Sequence, residues 1–214
     1  MSTEHKIPRV AAKRLPLYYR YFEKLHILGV QRVSSTQISK ELQIDSATIR
    51  RDLSYLGELG RKGYGYSVNY LFNFLREFLK HDRMTNVVIV GTGNLGRAIL
   101  QYNYYRSRNT NIVAAFDNDP AVINRELDGV PIYSIDRLEE IIETYEVEIA
   151  ILTVPSEVAQ QITDRLVVAG IKGILNMTPI VLIVPDKVLT HNVDITLELQ
   201  TLIYYIKNDV EDEA

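Results

Sequence analysis

The sequence contains no cysteine. This absence excludes disulfide bonds, thiolate metal ligands and thiol-based redox sensing. The four histidines are scattered along the chain without the spacing of metal ligands, so we expect no metal site. No apolar run approaches the roughly 18 residues of a membrane-spanning helix, and the first residues lack the apolar stretch of a secretory signal. We therefore expect a cytoplasmic protein that does not bind membranes.

The charge of the chain is unevenly distributed. Residues 1–83 contain 15 Lys and Arg against 8 Asp and Glu, a net charge of +7, whereas the remaining residues contain 9 against 19, a net charge of −10. This asymmetry indicates that the first part meets a polyanion and the second part does not. Two independently solvated surfaces of different composition would give the same numbers, so charge alone does not decide.

The basic part of the chain has the pattern of a winged helix-turn-helix domain. Apolar residues at helical spacing over residues 16–28, 34–42 and 46–56 predict three helices, the last two joined by a short turn. Four glycines in the nine residues 57–65 then predict a β-hairpin. A further amphipathic helix over residues 68–79 follows. Helix, helix, turn, helix and basic hairpin is the element order of this domain class.

The predicted DNA-binding residues are polar or basic side chains on these elements. Arginine pairs with guanine or holds a phosphate, and a helix N-terminus with hydroxyl side chains accepts a phosphate. The sequence does not distinguish the base-contacting arginine from the phosphate-contacting one. The candidates are Arg32, Ser34, Ser35 and Thr36 before and in the second helix, Ser46, Thr48, Arg50 and Arg51 on the third, and Arg61 and Lys62 on the hairpin.

From residue 86 the pattern changes to apolar strands that alternate with helices. Residues 86–91, 112–117 and 148–155 are continuous apolar segments typical of strands buried on both faces. A parallel, doubly wound α/β sheet of the Rossmann type is therefore predicted. The predicted helices are 95–105, 136–145 and 156–169, with a further strand after Gly173.

A glycine motif follows the first of these strands directly and opens a helix. This context is what makes a G-x-G-x-x-G motif informative, because its glycines let a dinucleotide pyrophosphate approach the backbone and the helix N-terminus. The residues predicted to bind the cofactor here are Gly91, Thr92, Gly93, Asn94, Leu95 and Gly96.

Asp117 ends the next strand and lies 21 residues beyond Gly96. A carboxylate at this position accepts hydrogen bonds from the adenosine ribose and repels a 2′-phosphate, which favours NAD(H) over NADP(H). The alternative is a plain turn residue, since Asp-Asn-Asp-Pro is also a good turn sequence. Val154 and Pro155 follow the third long strand and are predicted near the nicotinamide, with a simple strand terminus as the alternative.

Nine segments spread over nearly the whole chain are distinctive together. They are RLPLYYR (14–20), RVSS (32–35), TIRRDLSYLG (48–57), GYGY (63–66), GTGNLG (91–96), VAAFDNDP (113–120), AILTVP (150–155), AGIKGILNM (169–177) and VDITLELQ (193–200). In these segments the sequence resembles the Rex redox-sensing transcriptional repressors.

The resemblance implies a domain organisation and a partner. It implies a winged-helix DNA-binding domain at 1–83, a Rossmann NAD(H)-binding domain at 84–191, and a C-terminal helix with an acidic tail at 192–214 that is swapped between the subunits of a homodimer. The swap would bury the apolar stripe of Ile195, Leu199, Leu202 and Ile206. The family binds AT-rich inverted-repeat operators as apo or NAD⁺-bound protein and is released by NADH, which is a ligand and is not consumed.

The resemblance also implies three switch residues, which are Arg20, Tyr102 and Asp194. The last two are then also cofactor-binding residues. Without the resemblance, Arg20 would be interpreted as a phosphate contact or surface ion pair, and Asp194 as a helix N-cap.

Two other functional interpretations compete with this one. An NAD-dependent oxidoreductase is disfavoured because the sequence contains no Tyr-x-x-x-Lys and no evident His–carboxylate pair beside the crevice, so we expect a protein that is not an enzyme. The second is a DNA-binding protein whose Rossmann unit serves only dimerisation or binds another nucleotide such as coenzyme A.

Overall fold

The computed structural model describes residues 7–57, 60–61, 64–106 and 109–208, and the side chains of 61 and 103–106 are not included in that description. The chain divides near residue 82 into two compact units. Within the described residues, no helix is both long and apolar enough to cross a membrane.

The N-terminal unit combines four helices with a small antiparallel sheet. The second and third helices are joined by only three residues, and the sheet has the order β1-β3-β2. This is a winged helix-turn-helix, as the sequence predicted. Its elements are α1 (Arg9–Ile27), β1 (Arg32–Val33), α2 (Ser35–Leu42), α3 (Ser46–Ser54), β2 (Gly60–Arg61), β3 (Gly65–Ser67) and α4 (Val68–Phe78).

Side-chain caps fix the starts of the two helices of the helix-turn-helix. Ser34 Oγ accepts from the N–H of Gln37 at 3.2 Å, and Gln37 Oε1 accepts from the N–H of Ser34 at 2.8 Å, which is a capping box. Asp45 Oδ2 accepts from the N–H groups of Ala47 at 2.6 Å and Thr48 at 3.0 Å. Ser34 is therefore the N-cap of α2, and Asp45 is the N-cap of α3.

A buried ionic cluster connects α1 to α3. Asp52 is 1% exposed, and its carboxylate accepts two hydrogen bonds from Arg14 at 2.6 and 2.7 Å and one from the hydroxyl of Tyr18 at 2.6 Å. Burial alone would raise the pKa of Asp52, but the hydrogen bonds from Arg14 and Tyr18 outweigh it and lower that pKa. The cluster holds α3 in place between apolar neighbours.

Three details of this unit differ from the sequence predictions. Helix α1 begins at Arg9 and contains Pro16, because Ala11 and Leu15 extend its buried stripe towards the N-terminus and offset the missing proline N–H. Helix α3 ends at Ser54, and Leu56 packs on the core from a turn. Strand β1 was not predicted, since two residues give no periodic signal.

The C-terminal unit is a seven-stranded sheet with helices on its faces. The strand order is β10-β9-β8-β4-β5-β7-β6, and every neighbouring pair is parallel except β6 with β7. Its elements are β4 (Thr85–Val90), α5 (Asn94–Arg106), β5 (Thr110–Asp117), β6 (Glu126–Leu127), β7 (Val130–Ser134), α6 (Leu138–Thr144), β8 (Ile149–Leu152), α7 (Ser156–Val168), β9 (Gly173–Asn176), β10 (Leu189–Asn192) and α8 (Ile195–Asn208).

This strand order confirms the predicted doubly wound sheet. The chain starts at β4, continues to one side through β5 and β7, and then crosses to β8 on the other side of β4. Such a reversal leaves a crevice beyond the carboxyl ends of the two strands where the direction changes. The β6–β7 hairpin and β10 were not predicted, because β6 has two residues and all four residues of β10 are exposed.

Helix α8 presents apolar side chains to its surroundings along its whole length. None of its residues is buried within the chain. The predicted stripe is 66% exposed at Ile195, 55% at Leu199, 53% at Leu202 and 69% at Ile206. A helix of this composition needs a further apolar surface to cover it.

The ionic cluster generates a stability prediction. Asp52→Ala leaves Arg14 without its partner and should lower the free energy of unfolding of the N-terminal unit by about 3 kcal/mol. The control is Lys24→Ala, which removes the exposed pair with Glu41 and should cost less than about 1 kcal/mol. Denaturant titration measures both.

The same cluster predicts a pH dependence. The pKa of Asp52 is lowered on folding, so its contribution is present above the unfolded pKa and is lost as the pH falls through the folded one. Stability should therefore decrease on acidification below about pH 4. Asp52→Ala should weaken that dependence, and an unchanged acid limb would contradict the assignment.

Candidate functional site

The glycine loop between β4 and α5 is packed so closely that two of its glycines admit no side chain. Gly91 has a φ of +97°, and a Cβ there would lie 2.6 Å from the carbonyl oxygen of Thr153. A Cβ at Gly96 would overlap the carbonyl oxygen of Gly91. Gly93 instead faces open space. The loop is therefore tightly packed against Thr153, which follows β8, and against the first turn of α5. It is open to its surroundings at Gly93.

Asp117 anchors this loop from the end of β5. Its Oδ2 accepts from the N–H of Thr92 at 2.7 Å and from the Thr92 hydroxyl at 2.5 Å, and its Oδ1 accepts from the N–H groups of Asn118 and Asp119. Burial would raise the pKa of Asp117, but these hydrogen bonds lower it overall. The carboxylate is thus anionic at neutral pH. The turn role considered as the alternative is present, and the same residue also borders the open cleft.

A cleft of about 460 Å³ lies at this edge of the sheet. Four strand ends contribute to it, as expected where parallel strands finish side by side. Of the predicted residues it includes Gly93, Leu95, Asp117, Val154 and Pro155. The sequence analysis did not predict the remaining lining residues. The rule that parallel strands end at one edge of the sheet could have identified the three that follow β9, which are Met177, Thr178 and Pro179. The missed lining residues are Asn118, Thr153, Ser156, Met177, Thr178 and Pro179.

The three predicted switch residues belong to three separate elements of the chain. Tyr102 is on α5, outside the cleft lining, and is 60% exposed. Asp194 accepts from the N–H groups of Thr196 at 2.9 Å and Leu197 at 3.2 Å, so it is the N-cap of α8. Arg20 is exposed on α1 of the other unit.

Arg50 connects the starts of the two helices of the helix-turn-helix. Its Nη1 donates to Ser35 Oγ at 3.1 Å and Ser46 Oγ at 3.3 Å. Arg51 is exposed beside it, whereas Thr48 is half-buried. Hydrogen bonds among its own side chains therefore hold part of the predicted polar surface in place. Thr36, which was also predicted, is exposed.

Arg32 contacts the wing. Its guanidinium lies 5.2 Å from the centre of the Tyr64 ring and donates to the Tyr64 carbonyl oxygen at 3.3 Å. Tyr64 was not predicted as a functional residue. Of the two predicted hairpin residues, Arg61 is described only as part of strand β2, and Lys62 lies outside the described residues.

A helix-turn-helix unit followed by an α/β unit with a dinucleotide-type cleft defines a ligand-responsive transcription regulator. Residues 6–54 match the family model "Putative DNA-binding protein N-terminus", and residues 82–180 match "CoA binding domain". The redox-sensing transcriptional repressor Rex of Bacillus licheniformis is 53% identical over 209 residues, which are 97% of each chain. The chain belongs to the Rex family of redox-sensing transcriptional repressors.

Two solved structures of a Rex-family repressor, RSP, are similar over the same extent. RSP in complex with β-NAD⁺ and operator DNA matches with a TM-score of 0.88 at 36% identity, covering 95% of this chain and 94% of that chain. RSP in complex with β-NADH matches with a TM-score of 0.83 at 35% identity, covering 95% and 96%.

The two kinds of glycine in the loop generate a prediction. Gly96→Ala forces the loop away from α5 and should lower the free energy of unfolding by about 2 kcal/mol. Gly93→Ala, which meets nothing within 4 Å, is the matched control and should leave the unfolding temperature close to that of the wild type. Thermal unfolding followed by circular dichroism compares them, and equal unfolding temperatures would contradict the packing described.

Proposed function

We propose that this chain is a homodimeric repressor that binds palindromic, AT-rich operator DNA as apo or NAD⁺-bound protein and is released by NADH. The observation that carries the proposal is the presence, on one chain, of a helix-turn-helix unit and of a cleft with an anionic carboxylate at the second strand of a doubly wound sheet. Both halves are needed for a repressor that responds to a dinucleotide. The domain limits proposed are those predicted from the sequence.

The cleft supports NAD(H) as the ligand. Gly93 leaves room for a pyrophosphate at the N-terminus of α5, and the backbone N–H groups there complement its charge. Asp117 would accept from the adenosine ribose, and its charge disfavours a phosphate on that ribose. Because NADP(H) carries a 2′-phosphate and coenzyme A a 3′-phosphate, the carboxylate favours NAD(H) over both. We assign the loop residues 91–96, together with Val154 and Pro155, to this ligand.

The cleft supports a binding role rather than catalysis. Among the described residues that line it, the only carboxylate is Asp117, whose oxygens accept hydrogen bonds from the glycine loop and the following turn. No histidine or lysine is present in the part of the cleft lining that the structure describes. We therefore propose that the nucleotide is a ligand that is not consumed, and that the protein is a regulator and not an enzyme. Because the proposed operators are chromosomal, we also propose a cytoplasmic location.

The redox response has a physical basis in the nicotinamide ring. The oxidised ring is positively charged, whereas the reduced ring is neutral and enters an apolar pocket at a lower desolvation cost. NADH therefore binds better to the dimer geometry in which its ring is withdrawn from water, and this geometry spaces the recognition helices wrongly for the operator. Arg20, Tyr102 and Asp194 remain the proposed switch residues for that transition.

Helix α8 supports the homodimer. Its apolar side chains are exposed along the whole helix within one chain, and a second copy offers the identical surface by two-fold symmetry. A palindromic operator requires the same symmetry of the protein. We propose that α8 packs against the partner subunit.

The ligand assignment is tested by nucleotide preference. Asp117→Asn removes the negative charge and should reduce the preference for NADH over NADPH by about tenfold or more, since one charge contact at the ribose is lost. The control is Asp119→Asn, which removes a charge two residues away and keeps the oxygen that accepts from the N–H of Ala121. Titration of nucleotide fluorescence measures both affinities. An unchanged preference would favour a Rossmann unit with some other purpose.

The DNA-binding assignment is tested on α3. Arg50→Ala or Arg51→Ala should weaken operator binding by about tenfold, the loss of one arginine contact, and leave NADH affinity unaltered. Arg76→Ala on α4, outside the helix-turn-helix, is the control. If NADH affinity decreased equally, the division of labour between the two units would be wrong.

The dimer assignment is tested on α8. Replacing Leu199 and Leu202 together by Asp places two charges in the proposed interface and should convert the dimer to monomer, because unpaired buried charges are strongly unfavourable. Val168→Asp on α7, which is 83% exposed, is the matched apolar-to-charge control. Light scattering after size-exclusion chromatography reports the masses, and a doubly substituted dimer would contradict the assignment.

A further inference from the structure

Asn176 is a polar side chain with no exposed surface at the carboxyl end of β9. It was not among the predicted functional residues, and the proposed function does not use it. A buried side-chain amide is costly unless its hydrogen bonds are made. Its partners therefore indicate what it holds together.

All four hydrogen-bonding positions of the Asn176 side chain are occupied. Oδ1 accepts from the N–H of Thr178 at 3.0 Å and from its hydroxyl at 2.7 Å, and Nδ2 donates to the carbonyl of Ile180 at 2.7 Å and to Oδ1 of Asn192 at 3.0 Å. Since a backbone N–H only donates and a carbonyl only accepts, these partners fix the orientation of the amide.

One side of this network shapes the cleft. Asn176 is followed by Met177, Thr178 and Pro179, all of which line the cleft. The hydrogen bonds to Thr178 and Ile180 close this segment into a turn around the Asn176 side chain. Asn176 thus sets the shape of one wall of the cleft without contacting a ligand itself.

The other side of the network holds the start of α8. The Asn176 side chain donates to Asn192, and the Asn176 carbonyl oxygen accepts from the N–H of Val193 at 2.8 Å. The next residue, Asp194, caps α8. The wall of the cleft and the residues just before the cap of α8 are therefore joined through one buried residue.

We propose that Asn176 is a positioning residue that couples the Met177–Pro179 wall of the cleft to the start of α8. A fully satisfied buried network is stiff, so a displacement of the wall by the nicotinamide end of a nucleotide must move Asn192 and Val193 or break a hydrogen bond. The inference rests on the proposed function, because it gives the path by which the bound nucleotide affects the helix between subunits.

Asn192 offers a way to test the coupling from outside the cleft. It is exposed, does not line the cleft, and contributes one acceptor oxygen to the network. In the full-length protein, Asn192→Ala should leave NADH affinity without DNA, and operator affinity without nucleotide, within about twofold of wild type. The factor by which NADH weakens operator binding should decrease about fivefold, the size expected for one hydrogen bond. Nucleotide fluorescence and anisotropy of a labelled operator supply these affinities.

Two further variants separate coupling from general structure. Asn192→Asp keeps the acceptor oxygen and should restore the NADH factor towards that of the wild type. Asn111→Ala is the matched control, because Asn111 donates to Asn86 Oδ1 at 3.4 Å near the amino ends of β5 and β4, whereas the cleft lies at their carboxyl ends. It should leave the factor unchanged.

The outcomes distinguish this inference from the function on which it rests. A wild-type factor retained in Asn192→Ala would overturn the coupling role and leave the proposed function intact. Lower thermal stability and two weakened affinities with an unchanged factor would show a structural role only, and would also overturn it. Operator binding of the wild type that ignores NADH would overturn both.

Discussion

The parallel arrangement of β4, β5, β8 and β9 brings four strand ends to one edge of a single sheet, and the cleft exists because of this constraint. Each strand end contributes a different part: the glycine loop, the carboxylate of Asp117, Thr153 with its following residues, and Asn176 with the Met177–Pro179 segment. Residues nearly 90 positions apart in sequence thereby become neighbours. The reversal of strand order at β4 and β8 keeps the space between them open.

Buried and half-buried polar groups hold the functional elements in both units. Asp52 on α3 accepts hydrogen bonds from Arg14 and Tyr18 on α1. Asp117 accepts four hydrogen bonds from the glycine loop and the turn after β5. The Asn176 amide makes all four of its hydrogen bonds, and these connect the wall of the cleft to the residues before α8. Each of these groups is costly to bury and becomes favourable only when its partners are in place. Apolar packing builds the two cores, and these polar groups specify the geometry of the surfaces around them.

The sequence predicted both units because their signals are local. Capping residues such as Ser34, the glycine spacing at 91–96 and the apolar strands of the sheet are recognisable within a few residues. The hairpin at β6 and β7 and the exposed strand β10 escaped prediction because their pairing, and not their composition, makes them strands. The roles of Asp52 and Asn176 also escaped, since a buried polar residue can be identified only when its distant partners are known. Membership of the Rex family followed from motifs spread over the chain and agrees with the relatives it resembles.

The proposed function requires that the oxidation state of a nicotinamide decides whether this protein occupies its operator. Fluorescence anisotropy of a labelled AT-rich palindromic duplex, titrated with protein alone, with NAD⁺ and with NADH, tests it directly. Tight binding is expected in the first two titrations and release in the third. Binding that is indifferent to both nucleotides would contradict it and leave a DNA-binding protein whose cleft serves another ligand.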